Sequence, residues 1–290
     1  MNTTRREFLQ TAAAATVLTP SLAALANEKP AKAGSKMRLG LVTYNWGKGW
    51  DIPTIIKNCS VTGFEGVELR STHKHGVEIN IDKKRRAKVA AIFADSDVEL
   101  VGLGSACEYH SADPAVVKKN IEETKAFIKL CHDVGGTGVK VRPNGLPKDV
   151  PEEKTLEQIG KSLNEVAKFG NNFGVQIRLE VHGRGTAEIP RIQKIMEVAD
   201  NKNTVLCWNC NPTDLKGDGL EKNFQSVQDR VGINHIHDLR DDRYPWKQFF
   251  GLLKAADFEG WTLIEEGRVP KDIVGAMREN RPIWEKLAGA

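Results

Sequence analysis

Short apolar runs alternate with longer amphipathic segments along most of the chain. Eight of these runs have the length and the near-continuous hydrophobic character of strands that are buried on both faces of a sheet. They predict strands at residues 38–43, 66–70, 99–104, 138–142, 176–181, 204–208, 233–237 and 261–265. Strands of this kind are typical of a parallel sheet that is covered by helices.

The segments between the strands have the periodicity of helices. They predict helices at residues 53–62, 83–96, 114–134, 152–173, 189–199, 220–229, 246–256 and 271–287. Eight strand and helix units favour closure into a barrel over an open, doubly wound sheet. No GxGxxG or Walker motif opens a helix, which counts against a nucleotide-binding sheet. The sequence therefore predicts an α/β protein, a (β/α)8 TIM barrel, with a single domain at residues 37–290.

The N-terminus has the features of an export signal. The pair Arg5-Arg6 precedes a weakly apolar run, which ends at the small-residue site Ala24-Leu25-Ala26. We predict a twin-arginine signal peptide at residues 1–26, a linker at 27–36 and a periplasmic protein without stable membrane association. A membrane anchor is the alternative, and it is disfavoured because the run is short and Pro20 interrupts it.

The charge pattern gives no sign of a nucleic-acid partner. The formal net charge is +4, and 28% of the residues are charged. The only basic run, Lys83-Lys84-Arg85-Arg86, opens a predicted helix, so we interpret it as a solvated helix face. We therefore predict that nucleic acid is not a partner.

The five cysteines do not predict a disulfide framework. Their odd number and the apolar surroundings of Cys59 and Cys131 favour buried free thiols, although the periplasm would permit one or two disulfides. Cys207 and Cys210 have CxxC spacing but lack a following helix start. A thioredoxin-like role is therefore disfavoured.

Each of the last four predicted strands carries a potential metal ligand at its carboxyl end. Glu180, Asn209, His235 and Glu265 recur at intervals of 29, 26 and 30 residues. In a parallel barrel the carboxyl ends of all strands meet at one mouth, where active sites form. The spacing therefore predicts a divalent-metal site at the mouth of the barrel.

Neighbouring polar residues on the same strands leave several assignments open. Arg178 and His182 share the face of Glu180, and polar groups inside a barrel need partners, a ligand or a metal. We predict that His182 binds the substrate. A structural salt bridge between Glu180 and a barrel arginine is the alternative role for this carboxylate. His235 and His237 also share a face, and we predict that His235 binds metal and that His237 faces the substrate.

Other side chains near the strand ends are candidates for substrate binding. Lys140 and Arg142 alternate on the fourth strand, whereas His110 and Arg184 follow the third and fifth strands. All four could bind substrate hydroxyls or stabilise an oxyanion. For Lys140, a barrel ion pair is an equal alternative to a role in catalysis.

Aromatic and imidazole groups near the predicted mouth are ambiguous. Tyr44, Trp46 and Trp208 could stack on a sugar ring or pack in the core. His73 and His75 lie in a polar loop, where we expect solvated or substrate-rim side chains.

Four segments together resemble the xylose isomerase-like TIM-barrel superfamily of sugar phosphate isomerases and epimerases. They are residues 63–69, 180–182, 235–238 and 258–265. The resemblance implies one Mn, Mg, Co or Zn ion, with Glu180, Asn209, His235 and Glu265 as its ligands. Strand alternation alone does not decide between Glu265 and Glu266. The family's acid comes five residues after a glycine, here Gly260, which favours Glu265.

The sequence departs from the family at the sixth strand. An Asp-x-x-His motif is replaced by Asn209-Cys210-Asn211-Pro212, so an anionic ligand becomes a neutral amide. The loss of the histidine disfavours the multi-zinc site of the related apurinic-site endonucleases. Metal-free operation, with Asn209 as a hydrogen-bond donor to the substrate, is the alternative.

The chemistry that such a site suits is proton abstraction next to a carbonyl. We predict a metal-dependent isomerase or epimerase that acts on a carbohydrate through an enediolate, with Glu180 and Glu265 as the catalytic acid/base pair. A lyase that cleaves 3-keto-glycosides through the same intermediate is one alternative. A non-catalytic carbohydrate-binding barrel is another, and the oligomeric state stays open.

Overall fold

Eight parallel strands close into a barrel in the computed structural model, which describes residues 36–290. Each strand pairs with the next along the chain, and the first pairs with the last. The strands are β1 (Met37–Val42), β2 (Gly66–Arg70), β3 (Glu99–Glu108), β4 (Gly138–Arg142), β5 (Gln176–Glu180), β6 (Thr204–Trp208), β7 (Val231–Ile236) and β8 (Gly260–Ile264). The predicted single-domain (β/α)8 barrel is confirmed.

One helix follows each strand along the chain. The helices are α1 (Ile52–Thr62), α2 (Lys83–Ala94), α3 (Pro114–Val134), α4 (Glu152–Asn171), α5 (Ile189–Val198), α6 (Gly219–Gln225), α7 (Trp246–Ala255) and α8 (Ile273–Ala288). Aspartate caps begin several of them, as where Asp113 accepts a hydrogen bond from the Ala115 amide. The sixth helix is shorter than predicted because 3-10 turns occupy Pro212–Leu215 and Gln228–Arg230 on either side.

The hydrophobic core forms two clusters of buried side chains. The larger cluster includes residues from both strands and helices, such as Leu39, Phe127 and Ile192, and joins the two layers. The smaller one consists of Val42, Val101, Cys207, Ile233, Trp261 and Leu263. Because side chains alternate across a strand, three members of this set, Cys207, Ile233 and Leu263, share the inward face with the polar residues two positions further along, Asn209, His235 and Glu265. The polar residues therefore collect at the carboxyl ends of the strands.

A close backbone approach joins two of the loops at this mouth. Asn144 and Gly183 form an isolated parallel bridge between the loops after β4 and β5. Gly183 has φ +97°, and a Cβ atom there would lie 2.5 Å from the Cα of Asn144. Only glycine permits both the conformation and the contact, so the bridge fixes the relative position of the two loops.

Several sequence predictions concern residues outside the described range. The signal peptide at 1–26 and all but the last residue of the linker at 27–36 lie there, so export and periplasmic location stay predictions. Within residues 36–290, no helix is both long and apolar enough to cross a bilayer. All five cysteines are buried and free, which confirms the prediction for Cys59 and Cys131.

Candidate functional site

Three of the predicted metal ligands meet at the mouth of the barrel. Glu180 ends β5, His235 lies near the end of β7, and Glu265 directly follows β8. One potential ligand atom from each lies within 4.8 Å of the others. All three side chains are buried, and His235 is fully enclosed. The fold thus brings two carboxylates and an imidazole from separate strands into coordinating reach of one cation.

Both oxygens of Glu180 have partners in this cluster. Lys140 Nζ donates to Oε2 at 2.6 Å, and Asn209 Nδ2 donates to Oε1 at 3.1 Å. The barrel ion pair considered for Lys140 is therefore present. The alternative pairing of Glu180 with a barrel arginine is wrong, because Arg178 donates instead to the Val101 carbonyl and to Thr137 Oγ1.

His235 lies between two carboxylates. Its Nδ1 is 3.2 Å from Glu265 Oε2, and its Nε2 is 3.5 Å from Glu68 Oε1. Glu68 is fully buried, and neither of its oxygens has a hydrogen-bond partner in the described part of the chain. Sequence reasoning missed Glu68, although it lies in a quoted segment and alternation places it on the face of Arg70. That alternation was the signal that could have identified it.

Electrostatics within the cluster favour its charged groups. Burial tends to raise the pKa of the Glu265 carboxyl, but the His235 imidazole and the Lys140 ammonium outweigh burial and leave that pKa lowered. Burial also tends to raise the pKa of the Glu68 carboxyl, but His235 and Lys140 together with Arg178 outweigh burial and leave that pKa lowered. Burial tends to lower the pKa of Lys140, but Glu180 and the other carboxylates outweigh it and leave the pKa raised. These neighbours thus favour the ionised forms of Glu68 and Glu265 and the protonated form of Lys140.

The donor set fits a divalent cation. Carboxylate oxygens and an imidazole nitrogen are ligands for Mn²⁺ and Zn²⁺ alike. In addition, Asn209 Oδ1 is buried and has no hydrogen-bond partner among the described residues. A buried amide oxygen without a partner is costly unless a cation or a ligand binds it. The residues that would hold the metal are therefore Glu180, Asn209, His235 and Glu265.

A cavity of about 580 Å³ opens above this cluster. Its lining contains four of the six predicted substrate-binding residues, namely Lys140, Arg142, His182 and His237. Lys140 is 1% exposed, so it faces the floor of the cavity. The cavity has the size of a small-molecule site with a few convergent polar groups.

The other two predicted substrate-binding residues lie elsewhere. His110 and Arg184 do not line this cavity, and the structure places both in a neighbouring groove with Glu108 and Leu146. They follow β3 and β5, but the loops carry their side chains away from the barrel axis. The structure therefore separates these two residues from the other four, and their role in substrate binding stays a prediction.

The ambiguity between the two adjacent glutamates is resolved by their contacts. Glu265 reaches His235, whereas Glu266 accepts hydrogen bonds from the amides of Asp238 at 3.1 Å and Arg268 at 2.8 Å. Glu266 still touches the cavity, but its carboxylate shapes the loop after β8. His237 Nδ1 lies 2.8 Å from the backbone carbonyl of Glu265, so this imidazole also supports the loop.

The aromatic candidates divide between the core and the cavity. Trp46 and Trp208 are fully buried in the larger core cluster, whereas Tyr44 lines the cavity. Tyr244 and Trp246 also line it, and the sequence analysis missed them. They belong to the loop before α7 and to its first turn. No strand-end pattern marks them.

The expectation that His73 and His75 are solvated is wrong. Both are buried, and His75 contacts the Arg70 carbonyl through Nε2 at 2.8 Å and accepts the Val77 amide through Nδ1 at 3.0 Å. Burial lowers the pKa of both side chains, and that of His73 falls to about 4. The loop after β2 therefore packs around two imidazoles, and burial favours their neutral form.

This burial predicts a loss of stability in acid. The unfolded chain protonates histidine near pH 6.5, whereas folded His73 does so only near pH 4. The stabilising contribution is therefore complete above about pH 6.5 and is lost as the pH falls through about 4. When the pH is lowered from about 7.5 to about 4.5, we expect the free energy of unfolding to fall less for His73→Gln than for the wild type. Urea unfolding with chelator measures this.

The exposed residue His132 supplies the matched control for that experiment. His132→Gln should keep the wild-type dependence on pH. If His73→Gln keeps it as well, the buried imidazole at that position does not cause the acid sensitivity.

Comparisons with known proteins show the family and the fold to which this chain is similar. The model of the family described as xylose isomerase-like TIM barrel matches residues 56–287. L-ribulose 3-epimerase of Methylomonas sp. (strain DH-1) is 24% identical over 173 residues, or 55% of this chain and 60% of that protein. Inosose dehydratase of Clostridium tetani (strain Massachusetts / E88) is 20% identical over 309 residues, which cover 87% of this chain and 98% of that protein.

Solved structures share the fold at low sequence identity. D-psicose 3-epimerase in the presence of D-fructose has a TM-score of 0.76 at 13% identity, with 88% of this chain and 100% of that chain covered. The IOLI protein with a binding zinc atom has a TM-score of 0.75 at 16% identity, with 87% and 98% covered. The family match over most of its length shows that the chain belongs to the xylose isomerase-like TIM barrel family.

Proposed function

We propose that the chain is a divalent-metal-dependent isomerase or epimerase that removes and returns a proton next to a sugar carbonyl. The observation that carries this proposal is the pair of buried carboxylates, Glu180 and Glu265, beside one imidazole at the floor of a cavity. They project from β5 and from the end of β8, so they reach a substrate from different sides of the barrel. Two positioned carboxylates suffice for proton removal and return.

The metal would be held by Glu180, Asn209, His235 and Glu265. When bound, a divalent ion supplies a Lewis acid for a substrate oxygen. The donor set does not select among Mn, Mg, Co and Zn. The IOLI protein, which shares the fold, has a binding zinc atom, and this supports a metal at the site.

The remaining polar groups orient the acid/base pair and the substrate. Lys140 and Asn209 each donate to one oxygen of Glu180, which fixes the plane of its carboxylate. His182 and Arg142 line the cavity on the β4 and β5 side and offer hydrogen bonds to substrate hydroxyls. Tyr44 supplies an aromatic face. A carbohydrate is the substrate class that this combination favours.

A lyase is the second candidate. The match to inosose dehydratase covers nearly the full length of that protein, and the name of that protein indicates an elimination. The first step would be the same proton removal, after which the carbanion expels a neighbouring group. A 3-keto-glycoside would lose its aglycone in this way.

Deuterium exchange distinguishes the candidates. Metal-loaded protein is incubated in deuterated water with D-fructose, D-allulose, an inosose and a 3-keto-glycoside, and the products are followed by NMR. Exchange without bond cleavage supports the isomerase or epimerase, and release of water or aglycone supports the lyase. Sugar binding without exchange or cleavage indicates a non-catalytic barrel, which contradicts both enzymatic candidates.

Asn209→Asp tests the unusual amide in the proposed metal site. If Oδ1 is a ligand, the added charge is expected to tighten Mn²⁺ binding by about tenfold or more, since anionic oxygens bind hard cations more strongly than amides. Isothermal titration calorimetry measures the affinity. Asn171→Asp places the same charge on an exposed residue at the end of α4 and should leave the affinity unchanged. Equal affinities in all three proteins would show that Asn209 does not bind the metal.

A further inference from the structure

A second opening lies beside the central cavity at the same end of the barrel. This groove has a volume of about 510 Å³ and is formed by the loops after β3, β4 and β5. The lining residues used below are Glu108, His110, Ala112, Leu146, Pro147 and Arg184. The proposed chemistry at the central cluster uses none of them.

Only a thin layer of polar side chains separates the groove from the cavity. Glu108 belongs to the groove, and its Oε2 lies 3.6 Å from Arg142, which lines the cavity. Asn144 donates to the same carboxylate, and its Oδ1 lies 2.9 Å from Nδ1 of His182, another residue of the cavity lining. The bridge between Asn144 and Gly183 holds this layer in place. A ligand that passes over it occupies both openings.

The surface of the groove suits a polar ring with an apolar face. Ala112, Leu146 and Pro147 supply apolar area, and His110 and Arg184 supply hydrogen-bonding groups. His110 Nδ1 is buried and lacks a hydrogen-bond partner among the described residues, and the Arg184 side chain is exposed. Sugar rings have apolar C–H faces and hydroxyl edges, so both kinds of surface would be used.

From this arrangement we infer that the groove binds the second unit of a glycosidic substrate whose keto-sugar unit occupies the central cavity. This inference rests on the proposed function, because it extends the same substrate beyond its first ring. It selects a glycoside over a free monosaccharide as the substrate class. Glu108, Arg142, Asn144 and His182 would lie beneath the bond that joins the two units.

Filling the groove tests the inference. Ala112 is exposed and directly precedes the cap of α3, so Ala112→Trp adds bulk to the groove without disturbing the core. Ala115→Trp places the same side chain on an exposed position of α3 outside the groove lining. Arg184→Ala provides a second groove variant with no added bulk. Circular dichroism spectra confirm that each variant folds.

Binding is measured by calorimetry on the full chain loaded with Mn²⁺. The ligands are two matched pairs, D-fructose with lactulose and 3-keto-D-glucose with a 3-keto-disaccharide. For at least one pair, wild type and Ala115→Trp should bind the two-ring sugar at least about tenfold more tightly than the single ring, a difference well within the reach of one added subsite. Ala112→Trp should abolish that preference, and Arg184→Ala should reduce it.

The possible failures are distinguishable. Equal affinity of wild type for both members of each pair, or an unchanged preference in both groove variants, overturns this inference and leaves the proposed function intact. Absence of binding by every sugar, together with absence of deuterium exchange, overturns the proposed function and this inference with it.

Discussion

Replacing Glu265 or Glu180 by glutamine is expected to lower turnover by about a thousandfold or more, the range that positioned general acids and bases contribute. Glutamine keeps the shape of the side chain but cannot accept a proton from carbon. Each variant also removes one negative charge from the proposed metal site, so metal binding is weakened together with proton transfer. Steady-state rates on whichever substrate shows deuterium exchange in the wild type measure the loss.

The neighbouring glutamate provides a matched control for this result. Glu266→Gln changes a carboxylate that accepts the Asp238 and Arg268 amides and does not reach His235. Its activity should fall far less than that of Glu180→Gln or Glu265→Gln, because its carboxylate accepts loop amides and lies outside the proposed metal site. Near-normal turnover in both Glu180→Gln and Glu265→Gln, under saturating metal, would contradict the acid/base assignment.

Lys140→Met is expected to lower the free energy of unfolding of the metal-free protein by about 3–5 kcal/mol. Lys140 and Glu180 are both almost fully buried, and the variant leaves the carboxylate without its ammonium partner. An uncompensated buried charge is strongly destabilising, whereas removal of both charges is much less so. The double variant Lys140→Met/Glu180→Gln should therefore recover most of the lost stability. Urea unfolding in the presence of chelator gives all three values.

Two comparisons complete this experiment. Lys125→Met removes a lysine that pairs with Glu122 and Glu165 at the surface, and it should cost no more than about 1 kcal/mol. Saturating Mn²⁺ should reduce the loss in Lys140→Met, because a bound cation would compensate Glu180. A loss below about 1 kcal/mol without metal would show that breaking this buried ion pair does not destabilise the barrel.

The barrel was predictable because its signal is repeated eight times. Each buried strand carries its own apolar run, so errors of two or three residues at an end do not change the topology. The extension of β3 from Gly104 to Glu108 is a larger error that also leaves the topology unchanged. Glu108 pairs with Arg142 after a register shift past Gly104, and no apolar run marks that pairing. The strand ends predicted the convergence of Glu180 and His235, whereas the choice of Glu265 over Glu266 rested on the family resemblance.

The contacts around the site were less accessible to sequence reasoning. The register between β4 and β5 decides which cationic side chain lies next to Glu180. Lys140 pairs with Arg178, so it lies one layer below the Glu180 carboxylate. No local pattern encodes this pairing. The location of His110 and Arg184 outside the central cavity was not predictable, because loop residues do not follow strand alternation.

The central claim is that one divalent cation binds between Glu180, His235 and Glu265. Anomalous diffraction from crystals grown with Mn²⁺, and in parallel with Zn²⁺, tests it directly at the absorption edge of each metal. We predict one strong anomalous peak per chain within coordinating distance of all three side chains, with Asn209 Oδ1 turned toward it. Crystals with no anomalous peak in this cluster would contradict the claim. Metal bound only at other residues, with Lys140 still paired to Glu180, would contradict it as well.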